Sequence, residues 1–249
     1  QKGPALNRAF VHHAGAINIA VELSEHDWLI DPGAIEDAIT PKTRAIMPVH
    51  VNGRTCQMDA IMAIARKHGL EVFEDAAQAA GAKLDGQGAG TFGSWGTYSF
   101  YPSKTLGCFG DAGALVTNDD EIAEKVRRMR NHGANRQKTI ELSIDLWGTN
   151  SRLDNIQAAI LNYKLGYYAE AIARRREIAA QYHAAFRDIP QLRLPPPPEE
   201  GRYFDIFQNY ELCTEHRDGL RKHLADAGVG TIVQWGGFGI HQLKGLGFG

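Results

Sequence analysis

The run Ser99-Phe100-Tyr101-Pro102-Ser103-Lys104 places a lysine directly after an aromatic, strand-like segment. A lysine amine becomes a nucleophile that forms imines when burial or nearby positive charge lowers its pKa. Trp95, Tyr98 and Phe100 could supply that burial. The alternative is a solvated surface lysine, because most lysines are exposed. The sequence therefore offers Lys104 as a candidate catalytic residue.

Acid and amide side chains follow another predicted strand, Leu70 to Phe73, in the segment Glu74-Asp75-Ala76-Ala77-Gln78. In a parallel sheet Asp75 would lie at the carboxyl end of that strand, where ligands bind. Asp75 could pair with a protonated pyridine nitrogen and keep the ring cationic. Alternatively, its carboxylate could bond backbone N–H groups of the following turn. Gln78 could approach the face or the edge of such a ring, or it could simply be a polar residue at a helix N-terminus.

Two further segments could bind a phosphate group. Ser99 offers a short hydroxyl near Lys104, and the glycines from Gly107 to Gly113 would let the backbone approach an anion. The segment Gly148 to Arg152, which contains Asn150, precedes a predicted helix, and a helix N-terminus favours an anion. The alternatives are a serine that the strand merely tolerates and ordinary helix capping.

The patterns of several other chemistries are missing. No HExxH or paired Cys/His spacing surrounds the histidines, so we predict no metal site. No GxSxG, GxxxxGK[ST] or GxGxxG motif follows a strand, which argues against a hydrolase elbow or a nucleotide loop. We expect the arginine clusters at 127–130 and 174–176 to lie on solvated helix faces.

Composition narrows the class of protein further. The formal net charge is -2 and no dense Lys/Arg block is present, so neither nucleic acid nor a membrane surface is an expected partner. Three scattered cysteines predict no disulfide framework and favour the cytoplasm. No apolar run approaches the roughly 20 residues that span a bilayer. The chain begins with Gln1 and stops in a glycine-rich stretch, and we expect both ends to be cut.

From Arg44 onward, short apolar runs alternate with amphipathic segments, which predicts an α/β fold with a mainly parallel sheet. The pattern predicts strands at 44–48, 70–73, 95–101 and 114–117. It also predicts a helix that Asp59 caps and Gly69 ends, and a helix through Ile122, Val126 and Met129.

One long helix, straight or bent, is predicted to begin at a capping box of Ser151 and Asp154 and to run to about Phe186. Four consecutive prolines follow within Leu194 to Glu200 and favour a stiff connector. Beyond it we predict strands at 206–212 and 229–235 around a helix at 214–227. The predicted domains are a large domain at 1–165 without its N-terminal part, a connecting helix and linker at 166–198, and a partial small α+β domain at 199–249.

Five stretches, in this order and spacing, resemble the DegT/DnrJ/EryC1/StrS sugar aminotransferases, a family of fold-type I enzymes that depend on pyridoxal 5'-phosphate (PLP). The stretches are Pro48-Val49-His50-Val51-Asn52-Gly53, Glu74-Asp75-Ala76-Ala77-Gln78-Ala79, Ser99-Phe100-Tyr101-Pro102-Ser103-Lys104, Gly110 to Asp119, and Asn150-Ser151-Arg152-Leu153-Asp154-Asn155-Ile156-Gln157-Ala158-Ala159. The resemblance covers about Asp31 to Trp235. It implies a three-layer large domain like that of aspartate aminotransferase, with a partial smaller domain.

The resemblance also implies a role for each candidate residue. Lys104 would hold PLP as an internal aldimine, Asp75 would pair with the pyridine nitrogen, and Gln78 would contact the ring. Ser99 would hold the phosphate, and Asn150 would reach the phosphate bound in the neighbouring subunit of a homodimer. The family's N-terminal phosphate-binding turn has no counterpart before Gln1, so we expect this chain alone to bind PLP weakly.

By the same resemblance, the reaction would move an amino group from an amino acid, expected to be glutamate, to a nucleotide-linked keto sugar. Some relatives carry histidine in place of the lysine and perform dehydration, so the presence of Lys104 favours amino transfer. Three alternatives stay open: another PLP-dependent dehydratase or lyase, a sugar-sensing regulator, and a fragment that keeps only the fold. A regulator should need a DNA-binding segment, and the net charge opposes one.

Overall fold

The computed structural model describes residues 11, 14–135, 143–239 and 242. The chain divides into two compact units. The first, which we call the sheet unit, comprises the described residues of Arg44–Arg176 and Glu199–Gln208, and the second unit comprises those of Gln1–Thr43, Glu177–Pro198 and Asn209–Gly249. The domain boundaries expected from the sequence stay a prediction.

A four-stranded sheet forms the centre of the sheet unit. Its strands are β1 (Ala45–Ile46), β2 (Glu71–Asp75), β5 (Trp95–Ser99) and β6 (Gly113–Val116), which lie side by side in that order. β1, β2 and β5 are parallel, and β6 pairs antiparallel to β5. The predicted mainly parallel sheet is confirmed.

Short strands and helices complete the sheet unit. β3 (Lys83–Leu84) pairs with β4 (Gln87–Gly88) and with β9 (Tyr203–Phe204), while β7 (Ala134–Asn135) pairs with β8 (Ser143–Ile144). Helix α3 (Asp120–Met129) begins at Asp119, whose carboxylate accepts hydrogen bonds from the N–H groups of Glu121 and Ile122. It follows β6 as the sequence predicts.

Helix α2 (Met58–His68) crosses from β1 to β2 and ends at Gly69, which takes the left-handed conformation with φ 63°. Its basic last turn complements the negative end of the helix dipole. The predicted cap at Asp59 is wrong, because the helix begins one residue earlier and Asp59 lies in its first turn. The Asp59 carboxylate instead pairs with Arg202 at 2.6 Å.

Two helices replace the single long helix that the sequence predicts after Ser151. α4 (Asn155–Leu165) and α5 (Tyr168–Phe186) are separated at Gly166 and Tyr167. The predicted Ser151 cap is also wrong, since α4 begins after Asp154 and the Asp154 side chain makes no capping hydrogen bond. The Ser151 hydroxyl lies 2.5 Å from that of Thr149.

The core of the sheet unit attaches these helices to the segments that follow β2 and β5. Ile172 of α5 packs with Ile206 and with alanines that follow β2: Ala76, Ala79, Ala82 and Ala89. Leu161 of α4 packs with Leu106 and Cys108, which follow β5. Apolar contacts therefore anchor the segment after β2, which carries Gln78, and the segment after β5, which carries Lys104.

The second unit contains α1 (Pro32–Ala38), which Asp31 caps, and α6 (Arg217–Asp226). Buried side chains in it include Trp28, Leu29 and Ile35. The predicted strands at 206–212 and 229–235 are wrong. Phe207 has φ 50°, which interrupts an extended run, and within the described residues 229–233 form neither helix nor strand before a 3-10 turn at Gln234–Gly237.

None of the helices in the described part of the chain combines the length and the apolar character that crossing a bilayer requires.

Candidate active site

Asp75 and Ser99 lie at the carboxyl ends of two neighbouring parallel strands. Asp75 is the last residue of β2 and pairs in register with Thr97 of β5, and Ser99 ends β5 two residues later. Ligands bind outside the carboxyl ends of parallel strands in α/β folds. The pairing therefore brings these two side chains, and the loop that leads to Lys104, to one edge of the sheet.

The Asp75 carboxyl group is nearly buried, with 8% of the residue exposed. The Asp75 backbone donates to the Pro48 carbonyl at 2.9 Å and accepts from the His50 N–H at 3.0 Å. Its side-chain oxygen Oδ1 accepts from the Ala77 N–H at 2.9 Å. The turn-capping role that the sequence left open is thus present, and it fixes the orientation of the carboxylate.

Lys104 is half-buried, and its N–H donates to the Tyr101 carbonyl at 2.8 Å. Burial lowers the pKa of the Lys104 amine, while the charge of the Asp75 carboxylate acts in the opposite direction. Lys104 is therefore partly shielded from solvent, and its catalytic role stays a prediction. An amine with a lowered pKa is a nucleophile at a pH closer to neutral, because a larger fraction of it is unprotonated.

The side chain of Gln78 accepts a hydrogen bond from the Asn52 N–H at 2.7 Å through Oε1. Asn52 lies in a 3-10 turn at Val51–Gly53 and has φ 61°. Gln78 is half-buried, and this hydrogen bond orients its side-chain amide three residues after Asp75 in the chain. Its contact with a ring stays a prediction.

The two residues expected to bind phosphate occupy different surroundings. The Ser99 hydroxyl, at the end of β5, accepts a hydrogen bond from the Tyr101 N–H at 3.3 Å, which links the strand end to the loop that precedes Lys104. Asn150 is exposed, and its backbone pairs with that of Asn131. The predicted reach of Asn150 into a neighbouring subunit stays a prediction.

Glu74 and His50 form a buried pair that the sequence analysis did not identify. The His50 ring nitrogen Nε2 lies 2.9 Å from Glu74 Oε2, and both side chains are 0% exposed. The other ring nitrogen of His50, Nδ1, accepts from the Cys56 N–H at 3.0 Å. Because Nδ1 accepts, the proton of a neutral His50 ring lies on Nε2 and is donated to Glu74.

Three backbone N–H groups complete the surroundings of the Glu74 carboxylate. Those of Gly90, Phe92 and Gly93 donate to it at 2.7, 2.6 and 2.7 Å. Burial alone would raise the pKa of Glu74, but the hydrogen bond and charge of His50, together with these N–H groups, lower it below its ordinary value. Glu74 thus joins β2, the 3-10 turn region and the loop before β5.

Gln208 is a second residue that the sequence analysis missed, and it contacts both neighbours of Lys104. Its side-chain nitrogen Nε2 donates to the Ser103 carbonyl at 2.9 Å. Its Oε1 accepts from the N–H and the hydroxyl of Thr105, at 2.7 Å each. No sequence motif signals this contact, since Gln208 falls in a segment whose alternating pattern predicts a strand.

The arginines at 174–176 do not all lie on a solvated helix face, so that prediction is wrong. Arg176 is 9% exposed and donates to the Asp205 carbonyl at 2.9 Å. Arg175 donates to the Phe207 carbonyl at 3.0 Å and to the Gln208 carbonyl at 3.3 Å. Both arginines therefore hold the segment that carries Gln208.

The chain matches the DegT/DnrJ/EryC1/StrS aminotransferase family over residues 7–244. It is 43% identical over 226 residues to the dTDP-3-amino-3,4,6-trideoxy-alpha-D-glucose transaminase of Streptomyces venezuelae. This alignment covers 90% of this chain and 58% of the relative. It is also 41% identical over 226 residues to the erythromycin biosynthesis sensory transduction protein EryC1 of Saccharopolyspora erythraea. This second alignment covers 90% of this chain and 60% of the relative. The chain thus spans about 60% of the length of these curated relatives.

A solved structure gives the same result for the fold. The crystal structure of S. venezuelae DesV in complex with a ketimine intermediate superposes with a TM-score of 0.91 at 39% sequence identity. The superposition covers 98% of this chain and 64% of DesV. The fold class expected from the sequence is confirmed.

Proposed function

The chain belongs to the DegT/DnrJ/EryC1/StrS aminotransferase family, whose members are PLP-dependent enzymes, and from this membership we propose that it transfers an amino group from an amino acid to a nucleotide-linked keto sugar. The similarity to a dTDP-sugar transaminase supports this substrate class. Glutamate is the proposed donor. The observation that carries the proposal is the half-buried Lys104 amine. Burial lowers its pKa, and the charge of the buried Asp75 carboxylate acts on the same amine in the opposite direction.

The side chains present fit the chemistry of PLP. An amine with a lowered pKa suits attachment to the aldehyde carbon of the cofactor, and Lys104 supplies one. A buried carboxylate suits a protonated ring nitrogen, and Asp75 is held in position by Pro48, His50 and Ala77. Ser99, at the end of the neighbouring strand, offers a hydroxyl for the phosphate, and Gln78 offers an amide for the ring.

Each residue has a proposed part in the reaction. Bound PLP supplies an electron sink for the carbon that carries the amino group. The Asp75 carboxylate would keep the ring nitrogen of PLP protonated, since a negative charge stabilises an N–H cation. Lys104 Nζ takes a proton from the amine-bearing carbon of the substrate and returns one later, as general base and then general acid.

We also propose that the enzyme works as a homodimer with the site at the interface. An apolar face on and near α4 supports this, because Trp147, Ile156 and Tyr163 are exposed by 97%, 74% and 70%. Exposed apolar groups of this size mark surfaces that another protein covers. Asn150 lies in the same part of the sequence and would act on the cofactor phosphate of the partner. The cytoplasmic location stays a prediction.

The absorption spectrum of the purified chain with added PLP tests the attachment site. We expect a visible band that borohydride reduction removes, and peptide mass spectrometry should then find the cofactor on Lys104. Lys104→Ala should lose both signals. Lys125→Ala, which changes an exposed lysine of α3, is the control and should keep them. Attachment at another lysine, or none at all, would overturn the proposal.

Product analysis separates amino transfer from the alternatives. With ¹⁵N-labelled glutamate and a nucleotide-linked keto sugar, we expect the label in the sugar product. Loss of water from the sugar without label would instead indicate a dehydratase. One relative is named a sensory transduction protein, so a regulator is the second candidate function. Cofactor attachment at Lys104 without any turnover of keto sugars would favour that candidate.

A further inference from the structure

We infer that Gln208 is a positioning residue for Lys104: a single side-chain amide that binds the backbone on both sides of the lysine and so fixes the loop from which its amine extends. The inference rests on the proposed function, which gives the position of that amine its importance. It concerns the chain's own contacts and does not depend on the identity of the sugar or the donor.

The geometry of the amide leaves one orientation. The Ser103 carbonyl can only accept, and it receives the Nε2 hydrogen of Gln208 at 2.9 Å. The Thr105 N–H can only donate, and it reaches Oε1 at 2.7 Å. The Thr105 hydroxyl also donates to Oε1, at 2.7 Å. If the amide were reversed, its NH₂ group would face the Thr105 N–H and its oxygen would face the Ser103 carbonyl. The hydrogen bonds to Ser103 and Thr105 therefore require the observed orientation.

Gln208 is itself held by residues far from Lys104 in the chain. Arg175 donates to the carbonyls of Phe207 and Gln208 at 3.0 and 3.3 Å. The Ile206 N–H donates to the Gly53 carbonyl at 2.9 Å. A Cβ atom at Gly53, which has φ +90°, would lie 2.9 Å from the Gln208 nitrogen. Glycine therefore permits this close approach, and the amide is attached to a fixed support.

The contact restrains the residue that the mechanism uses. Leu106 and Cys108 anchor the loop on its C-terminal side through Leu161. The Thr105 N–H and hydroxyl are partly buried, and a buried polar group without a partner is costly. Without Gln208, water would enter to satisfy the Thr105 groups and the Lys104 amine would become more solvated. Its pKa would then rise toward the ordinary value.

Competitive labelling of lysines with acetic anhydride, read by peptide mass spectrometry across pH, measures this effect without added cofactor. In Gln208→Met, which keeps the size of the side chain and removes its hydrogen bonds, we expect the rate at Lys104 at pH 8 to fall, because a larger fraction of the amine would be protonated. The rates at other lysines should not change. Hydrogen exchange at the Thr105 amide should accelerate by about fivefold or more.

Two further variants separate positioning from a general loss of structure. Thr105→Val removes one of the three hydrogen bonds and should lower the Lys104 rate, whereas Thr105→Ser keeps the hydroxyl and should restore it. Gln87→Met is the matched control, because Gln87 also donates its amide to a loop carbonyl, that of Thr91 at 2.9 Å. It should leave Lys104 unchanged.

An unchanged pH profile of Lys104 labelling in both Gln208→Met and Thr105→Val would overturn the inference. A fall at Lys104 in Gln208→Met that accompanies loss of the native circular dichroism spectrum, without a fall in Thr105→Val, would also overturn it, because that result indicates unfolding. The proposed function is tested separately, by attachment of PLP to Lys104 in the unmodified chain. A failure there would leave the labelling result on Gln208 standing.

Discussion

Glu74 and Asp75 are adjacent acids in β2 with different surroundings. Successive side chains of a strand point to opposite faces. The Glu74 carboxylate contacts hydrogen-bond donors, whereas the charge of Asp75 acts on the pKa of Lys104. The Glu74 carboxylate accepts from His50 and from three backbone N–H groups, so a group with its own donors cannot replace it. The position of Asp75 depends on this arrangement, because His50 also binds the Asp75 carbonyl.

Glu74→Gln should lower the free energy of unfolding by about 3–5 kcal/mol at pH 7, because the new NH₂ group faces donors in a buried site. Chemical denaturation followed by circular dichroism measures the loss. Glu71→Gln, on the exposed side of the same strand, is the control and should change stability by less than about 0.5 kcal/mol. Equal effects of the two changes would contradict the network.

The pH dependence of that loss has a definite sign. The pKa of Glu74 is lowered in the folded chain from its ordinary value of 4.5. Its contribution to stability is therefore present above about pH 4.5 and is lost as the pH falls through the lower folded value. We expect the gap between the wild type and Glu74→Gln to shrink as the pH is lowered below 4.5. A gap that grew in acid would contradict this assignment.

At this scale the sequence points to a residue where a motif marks its chemistry. The sequence motifs predicted Lys104 and Asp75 as neighbours in function, and the structure couples them electrostatically. Glu74 and Gln208 escaped prediction, because their partners are 16–24 and 103–105 residues away in the chain. No local pattern records a hydrogen bond over such a separation.

Strands and helices were predictable where one period dominates over several residues. The parallel strands β2 and β5 and the helices α2 and α3 appear close to their expected positions. The strand expected at 206–212 failed for a physical reason, since Phe207 takes φ 50° and the Gln208 side chain turns to the Lys104 loop. The long helix expected after Ser151 is divided at Gly166 and Tyr167.

Gly96→Ala should destabilise the sheet unit by about 3 kcal/mol, at the upper end of the usual cost of overpacking. A Cβ atom at this position in β5 would lie 2.2 Å from the Gly90 carbonyl oxygen, so strand and turn would have to separate. Thermal unfolding measures the loss. Gly219→Ala is the opposite control: nothing lies within 4 Å of the new Cβ, and alanine favours helix α6 by about 0.5–1 kcal/mol. A neutral effect at Gly96 would refute the close approach.

At the scale of the molecule, several exposed apolar side chains lie on and near α4. Ile156 and Tyr163 project from this helix, while Leu161 of the same helix is buried under the Lys104 loop. One face of α4 thus supports the candidate site and another is open to a partner. The family and the fold class were predictable from the sequence because five motifs keep their order and spacing over most of the chain.

Ile156→Asp should weaken self-association by about 30-fold or more, as expected for a residue at the centre of an interface. Sedimentation velocity over a dilution series measures the change. Ile232→Asp alters an equally exposed isoleucine, 87% exposed, outside α4 and should leave association unchanged. A wild-type chain that stays monomeric at all concentrations would contradict the proposed homodimer.

The contact between Gln208 and Thr105 also has a consequence for the order of events during synthesis on the ribosome. All four strands of the central sheet have been made once Val116 has been added, yet Gln208 follows Thr105 by 103 residues. A nascent chain can therefore pair its strands well before the lysine loop receives its restraint. Translation must proceed through nearly another hundred residues before the loop is held, so the site matures later than the sheet that carries it.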